Sequence, residues 1–390
     1  MKNIIIAFVL LLSFAGTSAG ASEIIVGAAR TDVYVPLLKG KKVGLLSNHT
    51  GMVGDRHTLD IMLEEGIEVV TLFSPEHGFR GTADAGEKVG DSRDRATGLP
   101  IVSMYSAGKN GLDAALLRSL DVVVVDMQDV GTRFYTYYIT MIKLMEEVAP
   151  YGVEVVIFDR PNPLGMTVDG PVLDMNLRSG VGRLPIPVLH GMTLGELARM
   201  AVGEGWLKEG RKVTLTVVEC LNYTHASRYR LTVAPSPNLR TMKAIYLYPS
   251  LCYFEGTPVS VGRGTDFPFM VFGHPAIEPT GFYFVPKSVA GAKNPPLLGK
   301  KCHGMDLSHV DDEEAIAAGV DLQYVIIAYK SCRLTDTRFF TSFFDKLIGN
   351  TSVRRMIQQG KSAADIKASW RDEVEQFKEL RKPYLIYPLQ

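Results

Sequence analysis

Residues 121–126 read DVVVVD, and this stretch decides the fold. Four consecutive valines leave no polar face, so they predict a strand that is buried on both sides of a parallel sheet. Runs of the same character occur at 41–48 (KKVGLLSN), 68–73 (EVVTLF), 99–105 (LPIVSMY) and 153–159 (VEVVIFD). Helical spacing lies between them, at 55–66, 110–120 and 136–152. Strand and helix alternating in this way predict a doubly wound, mostly parallel α/β domain over residues 22–205.

The composition changes after a predicted helix at 191–207. A strand is predicted at 212–220, and residues 231–286 are rich in proline, glycine and aromatic side chains and poor in helical pattern. Helical spacing returns in the stretch 337–384. We therefore predict a second, smaller α+β domain over residues 206–390.

The N-terminus has the three regions of a secretory signal peptide: Lys2, an apolar run at 4–16 and small residues at 17–22. We exclude residues 1–21 from the fold. The expectation is a protein exported to the periplasm or the extracellular space, without stable membrane insertion. Because 42 basic side chains balance 42 acidic ones, a nucleic-acid partner is not expected. The sequence does not predict an oligomeric state.

Four cysteines, Cys220, Cys252, Cys302 and Cys332, permit disulfides in an exported protein but do not require them. Three pairings are possible, and the sequence does not choose among them. The chain contains no CxxC or HExxH spacing, no dinucleotide fingerprint and no Walker A loop. We therefore expect neither a metal nor a nucleotide cofactor.

In open α/β sheets, ligands bind at the carboxyl ends of the strands, where successive loops converge. The predicted loops at that edge are crowded with Asn, Asp, Glu, His, Arg and Gln. The densest is FSPEHGFRG (73–81), which presents Glu76, His77 and Arg80 directly after a buried strand. A solvated turn is the plain alternative, but few turns carry so many functional groups.

Further candidates follow other predicted strands or lie on loops rich in glycine or proline. The side chains that we expect to contact substrate are Asn48, His77, Arg80, Gln128, Arg133, Asp159, Asn162, His190, Asn238 and Arg263. Structural alternatives stay open for several of them. An ion pair between Asp129 and Arg133, a self-satisfied DRPNPLG loop (159–165) and a core histidine at position 190 would each be unremarkable.

Carboxylates on separate loops suffice for glycoside hydrolysis, in which one is a general acid and the other a base or nucleophile. We predict Glu76 as the general acid. Glu255, on the loop FEGTPVSVGRGT (254–265), and Asp129 are the candidates for its partner. The separation of the carboxyl groups is not encoded locally, so the sequence does not distinguish a retaining from an inverting mechanism.

Taken together, these motifs resemble the bacterial exo-β-N-acetylmuramidase family typified by NamZ. The matching motifs cover nearly all of the mature chain and are GLLSNHTG (44–51), PEHGFRG (75–81), DMQDVGTRFYTY (126–137), DRPNPLG (159–165), HGMTLGELA (190–198), PSPN (235–238), YPSLCYFEGTPVSVGRGT (248–265) and FDKLIGN (344–350). One departure is Met166, which stands where the family usually has a second glycine.

The resemblance implies a Rossmann-like domain joined to a smaller domain, with the active site between them. It implies release of N-acetylmuramic acid from the non-reducing end of peptidoglycan fragments, without a metal or a nucleotide. The favoured catalytic glutamate of the family corresponds to Glu76. Substrate assistance by the 2-acetamido group would need a residue such as Asp129 to orient the amide. Arg80, Arg133 and Arg263 are candidates to bind the lactyl carboxylate of muramic acid.

Two other functions compete with this one. A non-catalytic exported protein that binds a sugar or a cell-wall fragment would have a similar site but no turnover. A metal-dependent hydrolase that uses His77 and His190 would lose activity with a chelator, but the histidines lack the spacing of known zinc motifs.

Overall fold

The computed structural model describes residues 22–75, 79, 92–104, 111–334 and 336–390. The predicted signal peptide lies outside the described residues. The strands within these ranges are β1 (Lys42–Ser47), β2 (Met52–Val53), β3 (Arg56–His57), β4 (Glu68–Ser74), β5 (Ser92–Arg93), β6 (Pro100–Ser103), β7 (Val122–Asp126), β8 (Glu154–Phe158), β9 (Leu215–Val218), β10 (Val271–His274), β11 (Tyr283–Phe284) and β12 (Cys302–Asp306).

The main sheet has seven strands in the order β5-β6-β4-β1-β7-β8-β9. Neighbouring strands are parallel, except that the edge strand β5 is antiparallel to β6. The chain runs outward from β1 through β4 to β6 and then returns to the other side of β1 at β7. This reversal confirms the predicted doubly wound sheet and creates a topological switch point between β1 and β7, where such folds bind ligands.

Burial on both faces of β7 explains the four valines that predicted it. Val122 and Val124 belong to one hydrophobic cluster, whereas Val123 and Val125 belong to another, and all four are at most 1% exposed. Successive side chains of a strand point to opposite faces, so both faces of the sheet must be covered by other elements.

Helices cover the two faces and build most of the second domain. They are α1 (Thr31–Leu38), α2 (Thr58–Glu64), α3 (Ala114–Arg118), α4 (Tyr137–Val148), α5 (Leu194–Gly203), α6 (Met242–Leu251), α7 (Asp312–Ala318), α8 (Gln323–Ser331), α9 (Asp336–Phe339), α10 (Ser342–Ile348), α11 (Ser352–Gln358), α12 (Ala363–Ala368) and α13 (Arg371–Arg381). The start of α5 has a full capping box, in which Thr193 and Glu196 each accept the other's backbone N–H. None of the helices in the described ranges has the length and apolar content to span a bilayer.

The first domain extends beyond the boundary predicted at residue 205. Strand β9, which we had assigned to the second domain, pairs in parallel with β8 through Val155 to Leu215 and Phe158 to Val218. The change in sequence composition near residue 205 marks the end of a helix and not the end of the domain. The first domain continues to β9, which forms hydrogen bonds with the otherwise unpaired edge of β8. A three-stranded sheet of β10, β12 and β11 lies in the second domain, and one continuous hydrophobic cluster spans both domains.

The C-terminal tail returns to the first domain and docks on α5. Glu196 Oε1 accepts the backbone N–H of Ile386 at 2.8 Å and lies 3.0 Å from His225 Nε2. The hydroxyl of Tyr384 donates to Glu204 at 2.6 Å. Because Glu196 also caps α5, one buried carboxylate joins the helix start to the chain end.

Candidate active site

The carboxyl ends of β4, β1 and β7 lie side by side at the switch point, and we call the space above them the crevice. Asn48 follows β1, and its Oδ1 accepts both the N–H of Thr50 (3.0 Å) and the hydroxyl of Thr50 (2.6 Å). The Thr50 hydroxyl in turn accepts the N–H of Gln128 at 2.9 Å. The Gln128 side chain donates to the carbonyl oxygens of Asp129 (2.9 Å) and Pro161 (2.8 Å). The predicted residues Asn48 and Gln128 are thus brought together, in a network that holds three strand-end loops in place.

Three buried polar atoms in the crevice have no hydrogen-bond partner in the described part of the chain. They are Asn48 Nδ2 after β1, Ser74 Oγ at the end of β4 and Asp129 Oδ2 after β7. Each residue is at most 7% exposed. Because buried polar groups are almost always paired, the partners of these three atoms on neighbouring strand ends are ordered water or a polar ligand.

Asp129 is the carboxyl group that the crevice perturbs most clearly. Its Oδ1 accepts the N–H of Gly131 at 2.7 Å, and its Oδ2 is unpartnered among the described residues. Burial raises the pKa of Asp129 to about 7, although the backbone N–H groups of Gly131, Tyr138 and Val130 oppose the shift. A carboxyl group of this kind can exchange a proton, or accept a hydrogen bond from a ligand, near neutral pH.

A buried ion pair supports the floor of the crevice. The Arg160 guanidinium donates to both oxygens of Asp126, from Nε at 2.5 Å and from NH2 at 3.0 Å. Thr58 donates to the same carboxylate at 2.6 Å, and the Ser47 hydroxyl donates to the Asp126 carbonyl at 2.8 Å. These contacts tie the ends of β1 and β7 to the first residue of α2.

The loop that contains PSPN lies over the same strand ends. His49 Nε2 lies 2.9 Å from the carbonyl oxygen of Ala234, and the hydroxyls of Tyr135 and Tyr137 donate to the carbonyl of Pro235 at 2.7 and 2.9 Å. His49, Tyr135 and Tyr137 were not among the site residues predicted from the sequence. Their positions in the sequence, shortly after β1 and β7, could have identified them as candidates.

Asn162 is a structural residue in this geometry. Its Oδ1 accepts the N–H of Leu164 at 2.8 Å, and its Nδ2 donates to the carbonyl of Met192 at 3.0 Å. The side chain also packs against Gly131, where an added Cβ would lie 2.1 Å from Asn162 Oδ1. Gly131 has φ +80° as well, so the turn that carries Asp129 requires glycine for two reasons.

Asp159 is engaged by the chain itself. It is fully buried, and its Oδ2 accepts the hydroxyls of Thr193 (2.6 Å) and Tyr387 (2.8 Å), while its Oδ1 accepts the N–H of Gly195 (2.9 Å). Burial raises the pKa of Asp159 to about 6, although the hydrogen bonds from these donors lower it. The carboxyl group therefore holds the C-terminal tail and the start of α5, which differs from the predicted contact with substrate.

His190 and Asn238 are both buried. The Nδ1 atom of His190 accepts the N–H of Met192 at 3.2 Å, so its Nε2 carries the proton, and that atom has no partner in the described ranges. Burial, followed by the charge of Arg381, lowers the pKa of His190 to about 3, so the ring is neutral. Asn238 donates from Nδ2 to the carbonyl of Gly291 at 2.9 Å.

Arg133 is completely buried, and backbone carbonyls take all four of its terminal N–H groups. NH1 donates to Pro171 (2.7 Å) and Ile186 (2.8 Å), and NH2 donates to Leu347 (3.0 Å) and Ile348 (2.8 Å). Burial lowers the pKa of Arg133 to about 10. No terminal donor is left for a carboxylate ligand, so Arg133 joins the two domains instead of binding substrate as we had predicted.

Replacement of Arg133 by methionine should lower the free energy of unfolding by about 3–5 kcal/mol, because buried carbonyl groups lose their donor. Urea unfolding followed by circular dichroism measures this change. Arg56→Met is the control, since the Arg56 side chain is 47% exposed and pairs with Glu64 at the surface; a change within about 0.5 kcal/mol is expected there. A loss below about 1 kcal/mol for Arg133→Met would contradict the structural role.

Glu255 and Arg263 form an ion pair on the second domain. The Arg263 Nε donates to Glu255 Oε1 at 2.7 Å, and the guanidinium lies over the Phe269 ring at 5.0 Å from its centroid. The Glu255 side chain is 27% exposed, and the Arg263 side chain is 17% exposed. The pairing occupies one oxygen of Glu255, which makes Glu255 a weaker candidate than Asp129 for a role in proton transfer.

Glu76, His77 and Arg80 lie outside the described residues, so their predicted roles stay predictions. The residues around them are described: β4 ends at Ser74 in the crevice, and the Phe79 ring is buried 5.2 Å from the His57 ring. Within the described ranges no cluster of His, Cys, Asp or Glu is arranged to hold a metal ion. The four cysteines are buried, and none of them forms a disulfide.

Comparison with known proteins agrees with this architecture. The chain matches the family described as exo-β-N-acetylmuramidase NamZ, with the N-terminal part at residues 43–243 and the C-terminal part at 246–387. It is 37% identical to the peptidoglycan β-N-acetylmuramidase NamZ of Bacillus subtilis (strain 168), over 91% of this chain and 89% of that protein.

Two crystal structures of DUF1343 family proteins from Bacteroides fragilis have the same fold. One is 52% identical with a TM-score of 0.89 and covers 95% of this chain and 100% of its own. The other is 27% identical with a TM-score of 0.79 and covers 93% of this chain and 99% of its own. The family match spans both domains and the crevice between the strand ends and the PSPN loop, and the chain belongs to the exo-β-N-acetylmuramidase NamZ family.

Proposed function

We propose that this protein is a glycoside hydrolase that releases N-acetylmuramic acid from the non-reducing end of peptidoglycan fragments. The observation that carries the proposal is the set of three buried, unpartnered polar atoms on Asn48, Ser74 and Asp129, at neighbouring strand ends within the described residues. A sugar presents hydroxyl and amide groups at spacings that can satisfy such atoms. The B. subtilis relative, named as a peptidoglycan β-N-acetylmuramidase, supports this substrate class.

Glu76 is the general acid in this proposal. In the sequence it follows Pro75 and comes two residues after Ser74, the last residue of β4. It protonates the glycosidic oxygen as the bond to the anomeric carbon breaks, so the leaving sugar departs as an alcohol.

Asp129 orients the 2-acetamido group of the substrate. Its unpartnered Oδ2 accepts the acetamido N–H, which directs the acetamido carbonyl oxygen toward the anomeric carbon. The carbonyl oxygen then forms a bond to that carbon as the glycosidic bond breaks, and water later opens the resulting ring. Asp129 is preferred over Glu255 because Glu255 is already ion-paired with Arg263.

The protein works outside the cytoplasm in this proposal, as the pattern of residues 1–21 supports. Peptidoglycan fragments occur in the same compartment as an exported enzyme. N-terminal sequencing of the mature protein from fractionated cells tests the export: a start near residue 22 is expected, and an intact Met1 in the cytoplasmic fraction would refute it.

Incubation of the purified protein with a MurNAc-GlcNAc disaccharide should release free N-acetylmuramic acid and N-acetylglucosamine, detected by mass spectrometry. A disaccharide with the reverse order, GlcNAc-MurNAc, is the control and should stay intact, because its non-reducing sugar lacks the lactyl group. If a folded sample cleaves neither disaccharide, or cleaves only the control, the proposed function is wrong.

A further inference from the structure

The Glu255–Arg263 pair leaves part of the arginine free. Arg263 uses Nε for Glu255, and its two terminal nitrogens have no hydrogen-bond partner within the described residues. Two terminal nitrogens can bind the two oxygens of a carboxylate through parallel hydrogen bonds. The Phe269 ring beneath the guanidinium and the Glu255 carboxylate beside it fix the plane of the group. Arg263 is therefore pre-oriented, with its donors available.

A continuous row of aromatic rings connects Arg263 to the crevice. The Phe269 ring, which lies under Arg263, contacts the Tyr248 ring edge to face at 4.9 Å between centroids. The Tyr248 ring meets Tyr135 at 6.4 Å, and the charge of Asp129 is among the causes that raise the pKa of Tyr135 above its ordinary value, after burial and Tyr137. Buried rings thus form a chain of contacts from the guanidinium to Tyr135, whose hydroxyl binds the PSPN loop over the crevice.

The surroundings of Arg263 favour an anion. The backbone N–H of Lys287 donates to the carbonyl of Gly264 at 2.8 Å, which places Lys287, a residue of the segment 279–305, against the arginine loop. That segment contains four lysines and no Asp or Glu, in a chain whose overall charges balance. A positively charged segment that touches the arginine loop raises the local concentration of an anionic ligand.

We propose that Arg263 binds the lactyl carboxylate of the terminal N-acetylmuramic acid and so makes the enzyme select this sugar over N-acetylglucosamine. Glu255 is a positioning residue that holds the guanidinium on Phe269. The inference rests on the proposed function. Among the three arginines considered from the sequence, Arg133 has no terminal donor left, whereas Arg263 has its terminal donors free within the described residues.

The test compares two chromogenic substrates: a β-N-acetylmuraminide, and the same compound with its lactyl carboxyl converted to the neutral amide. The wild-type protein should prefer the acid by roughly 10- to 100-fold in kcat/KM, the range expected for one charge-assisted bidentate contact. Arg263→Gln should lose that factor on the acid, mainly through KM, and little on the amide. Arg263→Lys should keep part of the preference, and Glu255→Gln should reduce it.

The matched control is Arg228→Gln, which removes an exposed arginine that also pairs with a glutamate, Glu313. It should leave the acid-to-amide preference unchanged. Equal losses on both substrates in Arg263→Gln, or a wild-type protein without preference, would overturn the inference. If the wild-type protein hydrolyses neither substrate, the proposed function fails. Calorimetric binding of the free sugars then tests the role of Arg263 separately. Arg263→Gln should weaken the binding of N-acetylmuramic acid by roughly 10- to 100-fold and leave the binding of N-acetylglucosamine unchanged.

Discussion

Glu76→Gln should lower kcat by about a thousandfold or more, since a positioned general acid contributes roughly 10²–10⁴-fold to a rate. Glutamine has nearly the shape of glutamic acid but cannot supply the proton that the leaving oxygen needs. Ligand binding should survive, because few contacts change. Initial rates on a chromogenic β-N-acetylmuraminide and calorimetric binding of N-acetylmuramic acid measure the two properties on the same sample.

Glu64→Gln is the control for this substitution. Glu64 is exposed at the end of α2 and pairs with Arg56, so its loss should leave kcat unchanged. A Glu76→Gln variant that keeps more than about a tenth of the wild-type rate would exclude Glu76 as the general acid. A wild-type protein that binds the sugar but shows no turnover would instead favour the binding-protein alternative.

Asp129→Asn should lower kcat/KM by about 100-fold at pH 8, because the neutral amide orients the acetamido group less firmly than a carboxylate does. The wild-type pH profile should also fall as the pH drops below about 7, since Asp129 is then protonated. This limb should disappear in the variant. A limb near pH 7 that persists in Asp129→Asn would show that another group titrates there.

The same substitution should stabilise the folded protein at pH 8. The pKa of Asp129 is about 7 in the folded chain against a usual 3.8, so folding favours the protonated carboxyl. The stability from this group is fully present below pH 3.8 and is lost as the pH rises through 7. Asparagine removes the buried charge, and we expect a gain of about 1–2 kcal/mol, which is less than the full shift because its NH₂ group lacks an acceptor.

Asp174→Asn is a matched control for both measurements. Asp174 accepts the N–H of Asn176 at 3.0 Å, as Asp129 accepts that of Gly131, but Asp174 is exposed. Its substitution should change neither the pH profile nor the melting temperature at pH 8. Lower activity combined with higher stability in Asp129→Asn alone is the expected sign of a residue retained for function at the expense of stability. Lower stability in that variant would indicate a structural role.

The sheet could be predicted because its information is local. The valines of β7 are apolar on both faces, and this pattern is visible without any partner strand. Strand β9 was assigned to the wrong domain because its membership depends on pairing with β8, some 60 residues earlier in the chain. The placement of polar loops at one edge followed from the parallel order, so Asn48, Gln128 and Asp129 were found together.

The sequence by itself determined the doubly wound sheet, the edge at which its polar loops converge and the family of the protein. Only the tertiary structure decided which polar side chains are free to act there. Arg133 and Asp159 are occupied by Leu347 and Tyr387, more than 200 residues away. The physical reason is that a buried donor or acceptor must be paired. Its partner can come from any part of the chain, so local sequence does not reveal whether the group is left for a ligand.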